Sequence, residues 1–194
     1  MAFAYSSPPI RVKKRSWLEM IGIILVLSVI PMLFVYYTFA PELSLLFAIF
    51  LSGQAMTVYS VIIPTEIRDY FSDKPMGVKT MTVRLGLVKS SFLSILLMSA
   101  GGLLCGTAFF WVLFYRSYPI LNVFLLSIVL ADSYVLRHYK RLYSLSKKYA
   151  STNRSSIANE ITDLAAHNPK WITVVTQSLV LMSIVLLVYK ILLL

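Results

Sequence analysis

From Leu43 to Ile63 the chain carries no charged side chain, and this constrains its fold more than any other feature. A hydrocarbon core of about 30 Å needs roughly 20 helical residues to cross it. Four further stretches have similar length and character: Met20 to Phe39, Ser91 to Tyr115, Ile120 to Leu136 and Trp171 to Tyr189. In lipid a backbone must satisfy its own hydrogen bonds, and none of the five alternates apolar with polar residues as a barrel strand does. Each is therefore read as a helix. Composition agrees: 58% of the 194 residues are hydrophobic and 13% are charged, and the mean hydropathy is +0.78. That is too apolar for a soluble domain of this length. The predicted class is all-α, a multi-pass transmembrane helical bundle of about five spans forming one membrane domain over residues 1–194.

Charge then orients the bundle. Of the 18 Lys and Arg, all but Arg116 and Lys190 fall in three regions: Arg11 to Arg15, Arg68 to Lys89, and Arg137 to Lys170. The positive-inside rule places these three on the cytoplasmic side of a cell membrane. Topology thus accounts for the net charge of +10, and no nucleic-acid partner is called for. The single Cys105 lies in the third span, so a disulfide framework and a metal–thiolate cluster are excluded. There is no Gly-rich phosphate loop, no Ser/His/Asp order and no secretory signal. His138 and His167 lack ligand spacing and read as surface residues. Residues 137–170 form the long polar connection, where Ile157, Ile161 and Leu164 recur at helical spacing. They predict a short amphipathic helix at the interface. Pro31 is expected to kink the first span, and Gly101, Gly102 and Gly106 to let another helix approach the third closely.

Residues Thr65 to Gly86, "TEIRDYFSDKPMGVKTMTVRLG", crowd charge against the mouth of the second span. On a helix continuing from that span, Glu66, Asp69 and Asp73 are three and then four residues apart, so all three face one sector of roughly 60°. Clustered carboxylates repel unless a cation sits among them, and hard oxygen ligands suit Mg²⁺, which reaches substrate phosphates through one or two carboxylates. Gly77 permits a turn that brings Lys79 back over the cluster, where an ammonium suits a metal-bound diphosphate. The same spacing also fits a solvated loop with weak ion pairs to Arg68, Lys74 and Lys79.

Two motifs carry a resemblance. Asp69-x-x-x-Asp73, followed by Gly77-x-Lys79-Thr80 and Val83-Arg84-Leu85-Gly86, resembles the second aspartate-rich motif of the UbiA superfamily of intramembrane prenyltransferases. "AYSSPPIRVKKR", Ala4 to Arg15, resembles the Tyr-Ser-x-Pro-Pro-x-Arg-x-Lys segment that precedes the fifth helix in that family. The two occur in the family's order, separated by two predicted helices. The resemblance implies helices five to nine of a nine-helix fold around a central cavity. The family's first motif, of Asn-Asp-x-x-Asp-x-x-x-Asp type, has no counterpart in this sequence. It follows from the resemblance that the chain is part of a larger catalyst, completed by an N-terminal half or a separate subunit carrying that motif.

The family mechanism, laid on these residues, implies that Asp69 and Asp73 hold Mg²⁺, with Glu66 as a supporting ligand or a group behind them. Lys79, with Arg11 and Lys13, would neutralise charge on the leaving diphosphate of a polyprenyl diphosphate donor. Tyr5 would contact the diphosphate or fix the Pro8-Pro9 turn. Transfer to a lipophilic acceptor would follow, and the Gly77 to Gly86 run leans toward an aromatic quinone precursor by resemblance. Asp132, read as near the cytoplasmic end of the fourth span, would aid acceptor binding or pair with a neighbouring helix. Gln54 would line the cavity or bridge helices. Two other readings stand beside this one: a non-catalytic relative that binds polyprenyl diphosphate or lipid, and an unrelated transporter or membrane scaffold.

Overall fold

A computed structural model describes residues 16–116 and 119–167. All elements within them are helical. Helix α1, Ser16–Ile24, passes into a wide π-helical turn, Leu25–Val29, and continues as α2, Ile30–Phe39. The wide turn lies where Pro31 would act: a proline ring clashes with the carbonyl four residues back, here within that turn, and offers no N–H to it. Tyr36 closes the following bend. Its hydroxyl donates to the Glu42 carbonyl at 2.9 Å and accepts from the Ser44 amide at 3.1 Å, and its ring stacks on Phe47 at 3.9 Å.

Ser44 then caps α3, Leu45–Asp73, its Oγ accepting from the Phe47 amide. A turn leads to the short α4, Met81–Leu85, and Gly86 opens α5, Leu87–Arg116. Helix α6 spans Pro119–Thr152 and α7 spans Ser155–Ala166. Three described helical stretches are long and apolar enough to cross a membrane: Trp17–Thr38, Leu45–Asp73 and Leu87–Trp111. The predicted fourth span lies inside α6, and the predicted fifth, Trp171 to Tyr189, lies outside the described residues.

Helix α3 is the hub. Tyr59, Ile63, Ile67 and Tyr70 recur every three or four residues, so they share a face. That face is buried together with Leu87, Leu142, Ile157, Ile161 and Ala165. Helix α7 supplies the last three, so its apolar stripe packs onto protein rather than lying in the membrane interface. Burying Ile157 and Ile161 against α3 and α6 contributes about 1.5–3 kcal/mol each relative to leaving them in water. Between α5 and α6 a second cluster joins Met98, Val135 and Tyr139, and Ser91 and Ser146 share a hydrogen bond of 2.8 Å.

The glycines expected to admit a neighbouring helix differ in use. A Cβ on Gly101 would lie 2.7 Å from the Gly53 carbonyl oxygen, so α3 is the helix that approaches there. Gly102 instead faces Asp132, whose Oδ2 would sit 2.7 Å from an added Cβ, and Gly106 faces open space. Helix α6 continues past the predicted fourth span to Thr152, so Asp132 lies 20 residues before the end of the helix. Asp132 takes part in neither salt bridge among the described residues, which are Arg68–Asp69 and Arg141–Glu160.

Candidate functional site

The end of α3, the turn after it and α4 bring the acidic stretch into one place. Glu66, Asp69 and Asp73 all lie on the last two turns of α3. Their surroundings separate them. Glu66 is 8% exposed, and its Oε2 accepts from the Thr82 amide at 3.0 Å and from Thr82 Oγ1 at 2.9 Å. Two donors from the first turn of α4 thus converge on one carboxylate oxygen, where the helix N-terminus also favours negative charge. Thr80 caps that helix, with Oγ1 accepting from the Val83 amide at 3.3 Å.

The turn is built by backbone. Lys74 and Gly77 amides bond back to the Tyr70 and Lys74 carbonyls, and the Val78 amide bonds to the Asp73 carbonyl. Gly77 has φ +68° and Gly86 has φ +79°, both in the region that side chains with a Cβ disfavour. Gly77 therefore turns the chain after α3, and Gly86 turns it again from α4 into α5. The Gly-x-Lys-Thr and Arg-Leu-Gly parts of the sequence have a structural role of their own.

Asp69 is partly exposed and held by its neighbour. Arg68 Nε and Nη2 donate to its two oxygens at 2.8 and 3.2 Å. The pair is more than a third exposed on each side chain, so it contributes little to stability. Asp73 lies one turn on from Asp69, the spacing that puts Cβ atoms about 5–6 Å apart on one helix face. Lys74 reaches back to donate to the Tyr70 hydroxyl at 3.1 Å, and this hydrogen bond raises its pKa above the ordinary lysine value. Lys79 is exposed and joins neither salt bridge. Gly77 makes the predicted turn without bringing Lys79 into ion-pair contact with the aspartates. Tyr5, Arg11 and Lys13 lie outside the described residues.

Two carboxylates one helical turn apart fit Mg²⁺ in kind, because that ion keeps several waters and takes one or two protein carboxylates. They do not make a closed protein cage: among the described residues no group of three or more acidic, histidine or cysteine side chains is placed to hold a metal. Glu66 is committed to Thr82, and Asp69 must release Arg68 before both its oxygens can face a cation.

Three partners were not singled out in the sequence. In the sequence Arg68 reads only as a nearby cation, and Thr82 falls inside the stretch Thr65 to Gly86 with no role of its own. Glu19 on α1 is 4% exposed, and its charge and that of Glu66 act on each other. A lone acid in the first turn after a basic run was its only signal. Replacing Thr82 with Val removes one of two donors to a buried carboxylate oxygen. The expected loss is about 1–3 kcal/mol, read as a lower unfolding midpoint in mild detergent with Thr82→Ser close to the unchanged protein.

A family model described as the UbiA prenyltransferase family matches residues 1–157, a range that holds the N-terminal motif and the whole of Thr65 to Gly86. No curated protein and no solved structure matches the chain.

Proposed function

Because the chain belongs to the UbiA prenyltransferase family, a membrane-embedded class of transferase, we propose that it takes part in moving an isoprenyl group from a polyprenyl diphosphate to a lipophilic acceptor. The observation that carries this reading is the pair Asp69 and Asp73 at the end of a candidate membrane span, framed by a glycine-hinged turn. Asp69 and Asp73 would hold Mg²⁺. When bound, the ion would withdraw charge from the diphosphate oxygens as the carbon–oxygen bond breaks.

The chain's own residues do the rest. Thr82 and Glu66 tie α4 to α3, which anchors the far end of the turn that carries Lys79. Lys79, on an exposed turn, is free to swing toward a diphosphate and stabilise charge where it develops. Arg68, which donates to both Asp69 oxygens, would turn from Asp69 to the diphosphate and supply a second positive charge beside the leaving group. Arg11, Lys13 and Tyr5 of the other motif serve the same diphosphate. The apolar helix faces keep water from the allylic cation until the acceptor captures it, and the donor's tail stays in lipid at about 0.8 kcal/mol per methylene. An aromatic quinone precursor is the acceptor favoured.

Since the sequence has one aspartate-rich motif where the family pattern has two, the reading includes a second segment or subunit bearing the other. The test is pyrophosphate release from a polyprenyl diphosphate in Mg²⁺, by the purified chain with and without a four-span membrane segment that carries an Asn-Asp-x-x-Asp-type motif. The chain by itself should release little, and the mixture should restore release. Robust turnover by the chain without the added segment would overturn the shared-site reading, and no release from either would overturn the catalytic one.

A further inference from the structure

A second meeting of cations and rings lies on α5 and α6, helices other than the one that carries Asp69 and Asp73. The Phe92 and Tyr143 rings are 5.9 Å apart, and Lys147 Nζ stands 5.6 Å from the Tyr143 ring centre. The Ser91–Ser146 hydrogen bond and the Phe92–Tyr143 contact fix the antiparallel register of the two helices. In that register Lys89 and Lys147 fall at one depth, on the charged side of the ring pair, and Lys140 lies about two turns deeper on the Lys147 face. All three lysines are exposed and take part in neither described salt bridge.

Nothing acidic answers them from their own helices. Helix α5 has no Asp or Glu, and the one on α6, Asp132, sits 11 residues before Tyr143, about 16 Å along the axis. Toward the opposite end the same side of α5 turns apolar and open: Phe92 is 51% exposed, Leu96 48% and Leu103 70%. These three follow one another at four and seven residues, a continuous stripe on a helix apolar enough to cross a membrane. On α5 the order of Lys89, then Phe92, then Leu96 and Leu103 matches an anionic amphiphile in order and in charge, while Lys140 stands across from Leu96 on α6. Lysine stems lie along apolar surface while their ammonium groups reach the headgroup level, and aromatic rings settle at the same level.

We propose that this face binds an anionic phospholipid, with the phosphodiester between Lys89 and Lys147, the glycerol region against Phe92 and Tyr143, and an acyl chain along Leu96 and Leu103. The test is native mass spectrometry of the full chain released from micelles holding equal phosphatidylglycerol and phosphatidylcholine with identical acyl chains. The expected result is a phosphatidylglycerol preference of roughly thirtyfold, the size that two lysines supply at an anionic surface. The Lys89→Gln/Lys147→Gln double variant should fall to near parity, while Lys89→Arg/Lys147→Arg and the neighbouring Lys148→Gln keep the preference. Parity in the unchanged protein would overturn the assignment, as would a preference surviving in the glutamine double variant. Displacement of the lipid by millimolar glycerol phosphate would equally overturn it, by showing a site for free phosphate.

Discussion

Asp73→Asn should reduce Mg²⁺-dependent pyrophosphate release by the complete assembly on the order of 10²–10³-fold, the size of losing one group that stabilises developing charge. The substitution keeps shape and removes charge. Because Asp73 is neither buried nor in a described salt bridge, its unfolding midpoint should move little, which separates lost chemistry from lost structure. Asp69→Asn should cost a similar factor, with a second consequence: Arg68 loses the partner that holds both its donors. The exposed pair is worth about 1 kcal/mol or less, so stability again changes little. If the two aspartates share one ion, raising Mg²⁺ should partly restore either single variant, and the double variant should lose hardly more than the worse single one. Full activity in either single variant, in a protein that folds, would sink the assignment of the pair.

Much of this was legible in the sequence because the two strongest signals are local. A run of about 20 uncharged apolar residues has one answer in lipid, and α1–α2, α3 and α5 carry three of the five predicted spans. The Asp69–Asp73 spacing needs only a helix, and α3 continues through both. What was less legible depends on where helices end and which faces meet. Helix α6 runs through Arg137, Lys140 and Arg141, which read as a connection because charge normally marks a membrane boundary. The charges stay exposed on one side while Tyr139, Leu142 and Ser146 are buried on the other. Glu66 looked like the third member of an acidic trio, since spacing cannot show that α4 folds back to offer Thr82. The stripe Ile157 and Ile161 was visible as amphipathic, but periodicity alone cannot tell a membrane surface from a protein one, and Ala165 completed the stripe unnoticed.

Gly101→Val should be the most damaging single change outside the acidic pair. An added Cβ would meet Thr57 Oγ1 at 2.5 Å, the Gly53 carbonyl oxygen at 2.7 Å and the Thr57 amide nitrogen at 2.9 Å. Two of those atoms are backbone of α3, so no rotamer change relieves the contact and the helices must part. Gly53 presents the reciprocal constraint, with the Gly101 oxygen at 2.8 Å and the Cys105 amide at 2.9 Å. Overpacking of this kind costs about 1–3 kcal/mol, and valine adds two further methyl groups at the same contact. Gly106→Ala, on the same helix but facing open space, should leave stability within about 1 kcal/mol, since only helix propensity changes there. Thermal unfolding in one detergent compares the two directly; equal midpoints would mean that α3 and α5 do not meet at Gly53 and Gly101. The consequence extends to chemistry, because α3 carries Asp69 and Asp73 while α5 receives the chain after Thr82. Parting the two helices at the glycines tilts one end of the turn against the other. Gly101→Val should therefore also lower pyrophosphate release, and restoring stability with a bound lipid or milder detergent should recover part of it, as Asp73→Asn should not.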